Sequence, residues 1–419
     1  MNPNPPSHLG DKPRWRRATR LKALVATGTI ALGFAGVGLA ASAGPAVADP
    51  SVNYIATGSD TIQDVMNGFA LLEGNVLGSY NAVNPVTAAT HEIITPSKVP
   101  FGTNTPVTNC SYARPNGSSE GFAALDFSIT QVSLAHLATP GPGLGCVDIA
   151  RSSSAPGSFA NSGPGSSNTT SGPLIYIPFA LDAVAGAVGG TTNITDANSF
   201  TTAELTSMYG SCAATVVGTN TYFPTQSGVT TPPGDIGINL YAPQSGSGTL
   251  KFWASKVGLT LDSNGAPTGT SALCVHQTIV NGPNTGTIVE EHNGLAVGTD
   301  PNGYMPFSIA QWIAQSGGID DRRNGAVLTN IDGTSPFTTT GTLNTAFPYR
   351  REVYLVTAFD RVVQTNDGKF DSVLSGLLNG TGSFLCHATI TIRTYGFATL
   401  SSSTTDLCGS TANSLRVNQ

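Results

Sequence analysis

Residues 236–257 read IGINLYAPQSGSGTLKFWASKV. The first part, Ile236 to Tyr241, is a short apolar run of strand type. Leu250, Trp253 and Val257 then recur at helical spacing. Between them lies Ser245-Gly246-Ser247-Gly248-Thr249, all hydroxyls and glycines. A strand that passes through a polar turn into a helix is the repeating unit of an α/β fold. Outward from this stretch the alternation continues. Residues 52–56, 174–178 and 353–356 are further candidate strands. Helical patterns run through Ile62, Val65, Met66 and Phe69, through Leu181, Val184 and Val188, and across residues 305–314 with Phe307, Ile309, Trp312 and Ile313. The segment 152–172 (SSSAPGSFANSGPGSSNTTSG) has almost nothing to bury and reads as a surface loop.

Three more hydroxyl-rich segments resemble the one at 245–249: Gly58-Ser59-Asp60-Thr61, Gly117-Ser118-Ser119-Glu120-Gly121 and Ala150-Arg151-Ser152-Ser153. The first and the one at 245–249 stand directly before helical patterns, and the second before a possible one through Phe122 and Leu125. A helix start offers unpaired backbone N–H groups and the positive end of the macrodipole. Ser and Thr add hydroxyl donors, and Gly lets the backbone approach a ligand. Several such starts brought together could hold an oxyanion with little formal positive charge. Each taken alone is first of all an N-cap or a flexible link.

The N-terminus carries Arg14, Arg16, Arg17, Arg20 and Lys22, then an uncharged stretch from Ala23 that closes on Ala46-Val47-Ala48. Residues 1–48 are therefore expected to be a secretory signal peptide, with Asp49 the mature N-terminus. An uncleaved anchor is the alternative, opposed by Gly28, Gly33, Gly36 and Gly38 within the stretch. Thr19 and Arg20 weaken a twin-arginine reading of Arg16-Arg17. No cysteine follows the cleavage site, so a lipobox-type lipid anchor is not expected. No second hydrophobic span appears, so the mature chain is not expected to cross a membrane. The formal net charge of the chain is −6, and residues 49–419 alone carry 13 Lys/Arg against 24 Asp/Glu. That acidity argues against nucleic acid as a partner, since binding a phosphate backbone needs a basic surface. The six cysteines, Cys110, Cys146, Cys212, Cys274, Cys386 and Cys408, contain no CxxC pair. In an exported chain they read as disulfides rather than a zinc site.

The order of these segments resembles the phosphate-binding proteins of phosphate ABC transporters, a family with the type II periplasmic-binding fold. The resemblance rests on Thr61 before a helix, Gly117-Ser118-Ser119, and a strand ending in a turn at 148–152. It continues through Ile177-Pro178-Phe179-Ala180-Leu181-Asp182-Ala183-Val184, Ser247-Gly248-Thr249, Gly303-Tyr304-Met305-Pro306, the late strand 349–356 and Tyr395-Gly396-Phe397-Ala398. It implies a two-lobed α/β clamshell with two crossings between lobes. Lobe one would comprise residues 49–177 and 305–419, and lobe two residues 178–304. The implied function is a secreted, monomeric solute-binding protein that captures an oxyanion, phosphate first, for delivery to an ABC permease. The implied ligand contacts are Thr61, the Ile62 N–H, Ser118, Ser152, Ser247, Gly248 and Thr249. Neither metal nor cofactor is expected. Two positions depart from the family pattern: Ser152 stands where it has an aspartate, and Pro243 where it has an arginine. Asp60 and Arg151, one residue away from Thr61 and Ser152, are candidates to supply the two missing charges. With these lobes, the pairing Cys110–Cys146, Cys212–Cys274 and Cys386–Cys408 keeps each disulfide within one lobe segment, where it would not oppose a hinge.

Other classes fit less of the chain. Gly117-Ser118-Ser119-Glu120-Gly121 fits G-x-S-x-G, the nucleophile elbow of a secreted esterase, with His292 or His387 as base. Pro115 just upstream is a poor residue for the strand that an elbow requires. Glu290-Glu291-His292 lacks zinc-protease spacing and reads as a solvated loop. Asp320-Asp321-Arg322-Arg323 reads as a surface charge cluster. A secreted wall or matrix protein that keeps the binding fold without transport is the remaining alternative.

Overall fold

The 16 residues Leu174–Gly189 form one strand, buried along its whole length. The computed structural model describes residues 51–418 except 101, 109, 158–169 and 402–405. The expected signal peptide and the middle of the Ser/Gly/Asn loop lie outside the described residues. The principal strands are β1 (Tyr54–Gly58), β2 (Leu77–Ser79), β3 (Ile149–Ser152), β4 (Leu174–Gly189), β5 (Thr215–Val217), β6 (Asn220–Pro224), β7 (Ile236–Tyr241), β8 (Gly303–Ser308) and β9 (Arg350–Ala358). They lie side by side in the order β2-β1-β3-β9-β4-β8-β7-β6-β5. β1 is parallel to β2 and β3, and β7 to β6 and β8. β4 is antiparallel to β9 along its first part and to β8 along its last. The fold is thus α/β, with one mixed sheet whose two sides share β4.

A strand covered on both faces reads as a continuous apolar run, without the alternation of a half-exposed one. That is why Leu181, Val184 and Val188 are not helical as their spacing suggested: they belong to β4. The small residues in this run have a structural reason. A Cβ on Gly186 would lie 1.8 Å from the Tyr304 hydroxyl, and one on Gly189 2.2 Å from the Val297 carbonyl. Pro178 has no N–H to give, and at this point the β4–β9 register slips: Val353 faces Ala180 while Tyr354 faces Pro178. Residues 305–314 also depart from expectation. Met305 to Phe307 lie in β8, and the helix starts only at Ile309. Pairing with β4 holds this apolar stretch extended, while the two residues before it, Gly303 and Tyr304, pair with β7.

Five helices flank the polar turns or brace the sheet: α1 (Gln63–Glu73), α2 (Ser118–Thr130), α3 (Thr202–Ser211), α4 (Gly248–Val257) and α5 (Ile309–Ser316). Trp253 of α4 anchors one side of the sheet, its ring 5.5 Å from Tyr209 of α3 and 5.6 Å from Tyr349. The cysteines pair as Cys110–Cys146, Cys212–Cys274 and Cys386–Cys408, with Cα separations of 5.3, 5.8 and 5.8 Å. Asp49–Gln419 forms one compact unit, and the expected crossings at 177/178 and 304/305 fall inside β4 and β8. Among the described residues, no helix is long and apolar enough to cross a membrane.

Candidate functional site

Four chain segments meet: the turns after β1, β3 and β7 and the start of α2. β1 ends at Gly58, whose φ of +111° and contact with Gly121 leave no room for a side chain. The chain then makes the short 3₁₀ turn Asp60–Ile62, which presents Thr61. The Ile62 side chain enters the core. α2 begins at Ser118, directly after Gly117 in the left-handed region at φ +111°. α4 begins at Gly248, and the Ser247 hydroxyl caps it by accepting the Leu250 N–H at 2.9 Å. A Cβ on Gly248 would come within 2.3 Å of Ser153 Oγ and 2.5 Å of Ser118 Oγ. The glycine lets α4 abut the serines at the β3 turn and at the start of α2.

The hydroxyls brought together are fully buried. Thr61 Oγ1 lies 3.3 Å from Thr249 Oγ1. Ser59, Ser118 and Ser153 form an adjoining chain, with Oγ–Oγ distances of 3.0 Å for Ser59–Ser153 and 3.3 Å for Ser118–Ser153. At the centre is a group that the sequence reading did not single out, the guanidinium of Arg351 on β9. Its Nη2 donates to Thr249 Oγ1 at 2.9 Å and to Thr61 Oγ1 at 3.3 Å. Arg351 faces Asp182 in the β9–β4 register, and their ion pair closes at 2.9 Å. Asp182 also accepts from Ser308 Oγ at 2.8 Å and the Ala310 N–H at 3.2 Å, which ties the start of α5 to the same point.

His292 completes the cluster. The Ser308 N–H donates to its Nδ1 at 3.2 Å, so the ring proton sits on Nε2, which donates to Thr61 Oγ1 at 2.8 Å. Burial, reinforced by Arg351 and Arg322, holds this imidazole neutral, its pKa well below the usual value. With His292 and Arg351 both donating to Thr61 Oγ1, that hydroxyl passes its own proton to Thr249 Oγ1. Among the described residues the Thr249 proton then meets no acceptor, because His292 Nε2 at 3.4 Å already bears a proton. The cluster is donor-rich.

Other expected positions lie differently. Ser152 Oγ is engaged in its own turn, donating to Ser154 O at 2.9 Å. Its neighbour Ser153 takes the place in the cluster. Arg151 is buried, and its guanidinium donates to the Ser59 and Gly58 carbonyls and to Ser79 Oγ. It makes no bond to the Thr61–Thr249 pair. Asp60 pairs with Arg322 at 3.0 Å. Ser247 Oγ donates to Glu291 Oε1 at 2.5 Å, and the same oxygen accepts the Thr249 N–H at 2.8 Å.

Two expectations fail. Glu291 and His292 are not on a solvated loop: they are 1 % and 0 % exposed, held against the start of α4 and β8. Arg322 does not lie in a surface cluster: it turns inward to Asp60 and Asp64 while holding Asp320 at 3.4 Å, and Arg323 pairs outside with Asp321. Among the described residues no imidazole reaches the elbow-like Ser119. Its Oγ has no hydrogen-bond partner, and it sits in the first turn of α2.

The electrostatics are mixed in sign. Burial raises the carboxyl pKa values of Asp60 and Glu291, pushes Asp64 to about 6 and takes Glu290 to about 7. Arg322 opposes the rise at Asp60 and Asp64. One oxygen each of Asp60 and Glu291 and a ring nitrogen of His292 lie within 4.8 Å of one another, close enough for a metal ion. Beside the cluster, Arg351 lines a cavity of about 330 Å³ together with Ser153, Phe252, Glu352 and Tyr354.

Of Arg351, Asp182 and His292, only Asp182 carried a faint signal. A lone Asp182 inside an apolar strand has to find a partner, because a buried unpaired carboxylate is very costly. Nothing in the sequence says which arginine answers it.

No protein-family model and no curated protein sequence matches the chain. Among solved structures it is similar to an ABC-type phosphate transport receptor from Vibrio cholerae, at 14 % identity and TM-score 0.44, covering 83 % of this chain and 100 % of that one. PstS from Borrelia burgdorferi is similar at 14 % identity and TM-score 0.34, covering 84 % and 100 %. A human phosphate binding apolipoprotein is similar at 12 % identity and TM-score 0.38, covering 83 % and 91 %.

Proposed function

We propose that the chain is an exported solute-binding protein, not an enzyme, that closes on a small oxyanion, phosphate first, for delivery to an ABC permease. The lobes would be residues 49–177 with 305–419, and residues 178–304. The observation that supports this reading is the excess of buried donors at the meeting of the helix starts. Arg351, His292, Thr61 and Thr249 bring more protons than their mutual contacts accept. An anion between Thr61 and Thr249 supplies the missing acceptor. Two donors that share one anionic oxygen sit roughly 4.5 Å apart at ordinary hydrogen-bond lengths. The two hydroxyls, now at 3.3 Å, must therefore part by about 1 Å, which asks for a small opening of the sheet's two sides.

A second reading is favoured by one observation. Arg351 is already neutralised by Asp182, and the hydroxyls already touch. On that reading the cluster joins the two sides permanently, in a wall or matrix protein that keeps the fold without transport. A thermal-shift screen of phosphate, sulfate, phosphonates and sugars separates the two, since a ligand that binds only the folded state raises its melting temperature. A rise with phosphate, saturating at one site by calorimetry, supports capture. If no oxyanion shifts the melting temperature, the second reading stands.

A further inference from the structure

Next to the hydroxyl cluster, the turn at Asp60 and the segment 290–293 enclose a second cavity, of about 130 Å³. Asp60, Asn84, Glu290, Glu291, Asn293 and Arg322 are among the residues that line it. Its charges do not balance. Arg322 is shared by three aspartates, Asp60 at 3.0 Å, Asp320 at 3.4 Å and Asp64 at 3.8 Å, and among the described residues the neighbouring Glu290 and Glu291 form no ion pair. Glu291 Oε1 is satisfied by Ser247 and Thr249, but Oε2 has no hydrogen-bond partner, in a side chain of a residue only 1 % exposed. A buried carboxylate oxygen left bare beside other carboxylates calls for a cation or a proton.

We propose that this cavity binds a calcium ion through the carboxylates of Asp60 and Glu291. His292 does not join the donor set, because its Nδ1 receives the Ser308 N–H and its Nε2 proton faces Thr61. What remains is oxygen only, which suits a hard cation and disfavours zinc. Calcium–oxygen bonds of 2.3–2.6 Å span a pair of oxygens up to about 5.2 Å apart, and the Asp60 and Glu291 oxygens lie within 4.8 Å of each other. Magnesium, at about 2.0–2.1 Å, needs the pair closer than about 4.2 Å. At about 30 Å³ for each water, the cavity has room for the ion and a few waters to complete its shell.

The test starts from chain stripped with EDTA and titrated calorimetrically with calcium, magnesium and zinc chlorides in turn. The expected result is one calcium per chain, with a melting temperature several degrees higher at saturation and weaker binding of magnesium and zinc. Glu291→Gln should weaken calcium binding at least tenfold, while Asp321→Asn, on the exposed Arg323 pair, should leave it unchanged. A melting curve of metal-free Glu291→Gln shows that the variant is folded. Its midpoint should equal or exceed that of metal-free wild type, because a buried charge is gone. Three results overturn the proposal: no calcium uptake by wild type at 1 mM, tighter binding of zinc than of calcium, or undiminished calcium binding by folded Glu291→Gln.

Discussion

Single residues divide into those that a local rule exposes and those that only the tertiary fold selects. Thr61, Ser118, Gly248 and Thr249 were legible because hydroxyl and glycine residues just before a helical pattern have a local cause. Arg351 was not, because its role depends on a strand pairing with Asp182, 169 residues away in sequence. Replacing Thr249 by Val keeps the shape and removes the acceptor that Arg351 holds at 2.9 Å. Oxyanion binding should be lost, with a cost to the fold of about 1 kcal/mol because Asp182 still pairs the arginine. Calorimetry beside a urea melt checks both parts, and retained binding in a destabilised variant would reduce Thr249 to a packing role. Asp126 of α2 makes a separate prediction. It is buried, its Oδ1 has no partner, and burial pushes its carboxyl up to about 6. Since the folded value lies above the unfolded one, the folded state holds the proton more tightly. Stability from this group is present below about pH 4 and is lost as the pH rises through about 6. Asp126→Asn should therefore flatten the fall in stability between pH 4 and 7 and gain about 1–3 kcal/mol at pH 7. Unfolding free energies of the two proteins across that range decide it.

At the scale of elements, the strand–turn–helix unit at 236–257 was readable because Ile236–Tyr241 and α4 each have a pattern of their own. β4 was not, because burial on both faces erases the alternation that marks a strand, and chance spacing of Leu181, Val184 and Val188 then imitates a helix. The one polar interruption in the second part of that strand, Asp182, was the better clue. It fixes the register against Arg351 and also receives the start of α5, so one carboxylate locates two elements. Removing only the cation should be severe. Arg351→Met leaves Asp182 buried and unpaired, at a cost of about 3–5 kcal/mol. In the double variant Arg351→Met/Asp182→Asn most of that loss should return, since no isolated charge remains. Urea unfolding of the two single variants and the double one forms the cycle. Additive losses would mean that the pair does not set the register.

For the whole molecule, the decisive relation is between the two sides of the sheet that share β4. The three disulfides each join residues within one of the chain segments 49–177, 178–304 and 305–419, so none of them bolts the proposed lobes together. The side-chain bridges at the polar cluster are Thr61 to Thr249, Arg351 to Thr249 and His292 to Thr61, and beside them Asn116 reaches Glu290 and Gln244 while the Ser119 N–H donates to the Gly246 carbonyl. If an oxyanion enters there and calcium sits between Asp60 and Glu291, the two ligands are neighbours of opposite charge. Asp60 directly precedes Thr61, and the Glu291 carboxylate accepts the Thr249 N–H. Without the cation, those carboxylates repel an arriving anion, and with it the field at the hydroxyls turns favourable. Calcium should then raise phosphate affinity, by about 5–150-fold if the coupling is of ordinary size. Linkage demands that phosphate raise calcium affinity by the same factor. Phosphate titrations at zero and saturating calcium, paired with calcium titrations at zero and saturating phosphate, measure both factors below the solubility limit of calcium phosphate. Glu291→Gln should bring both to one. Binding of each ligand with no mutual effect would mean that the two sites do not sense each other's charge, and that the carboxylates beside Thr61 and Thr249 are neutralised by protons.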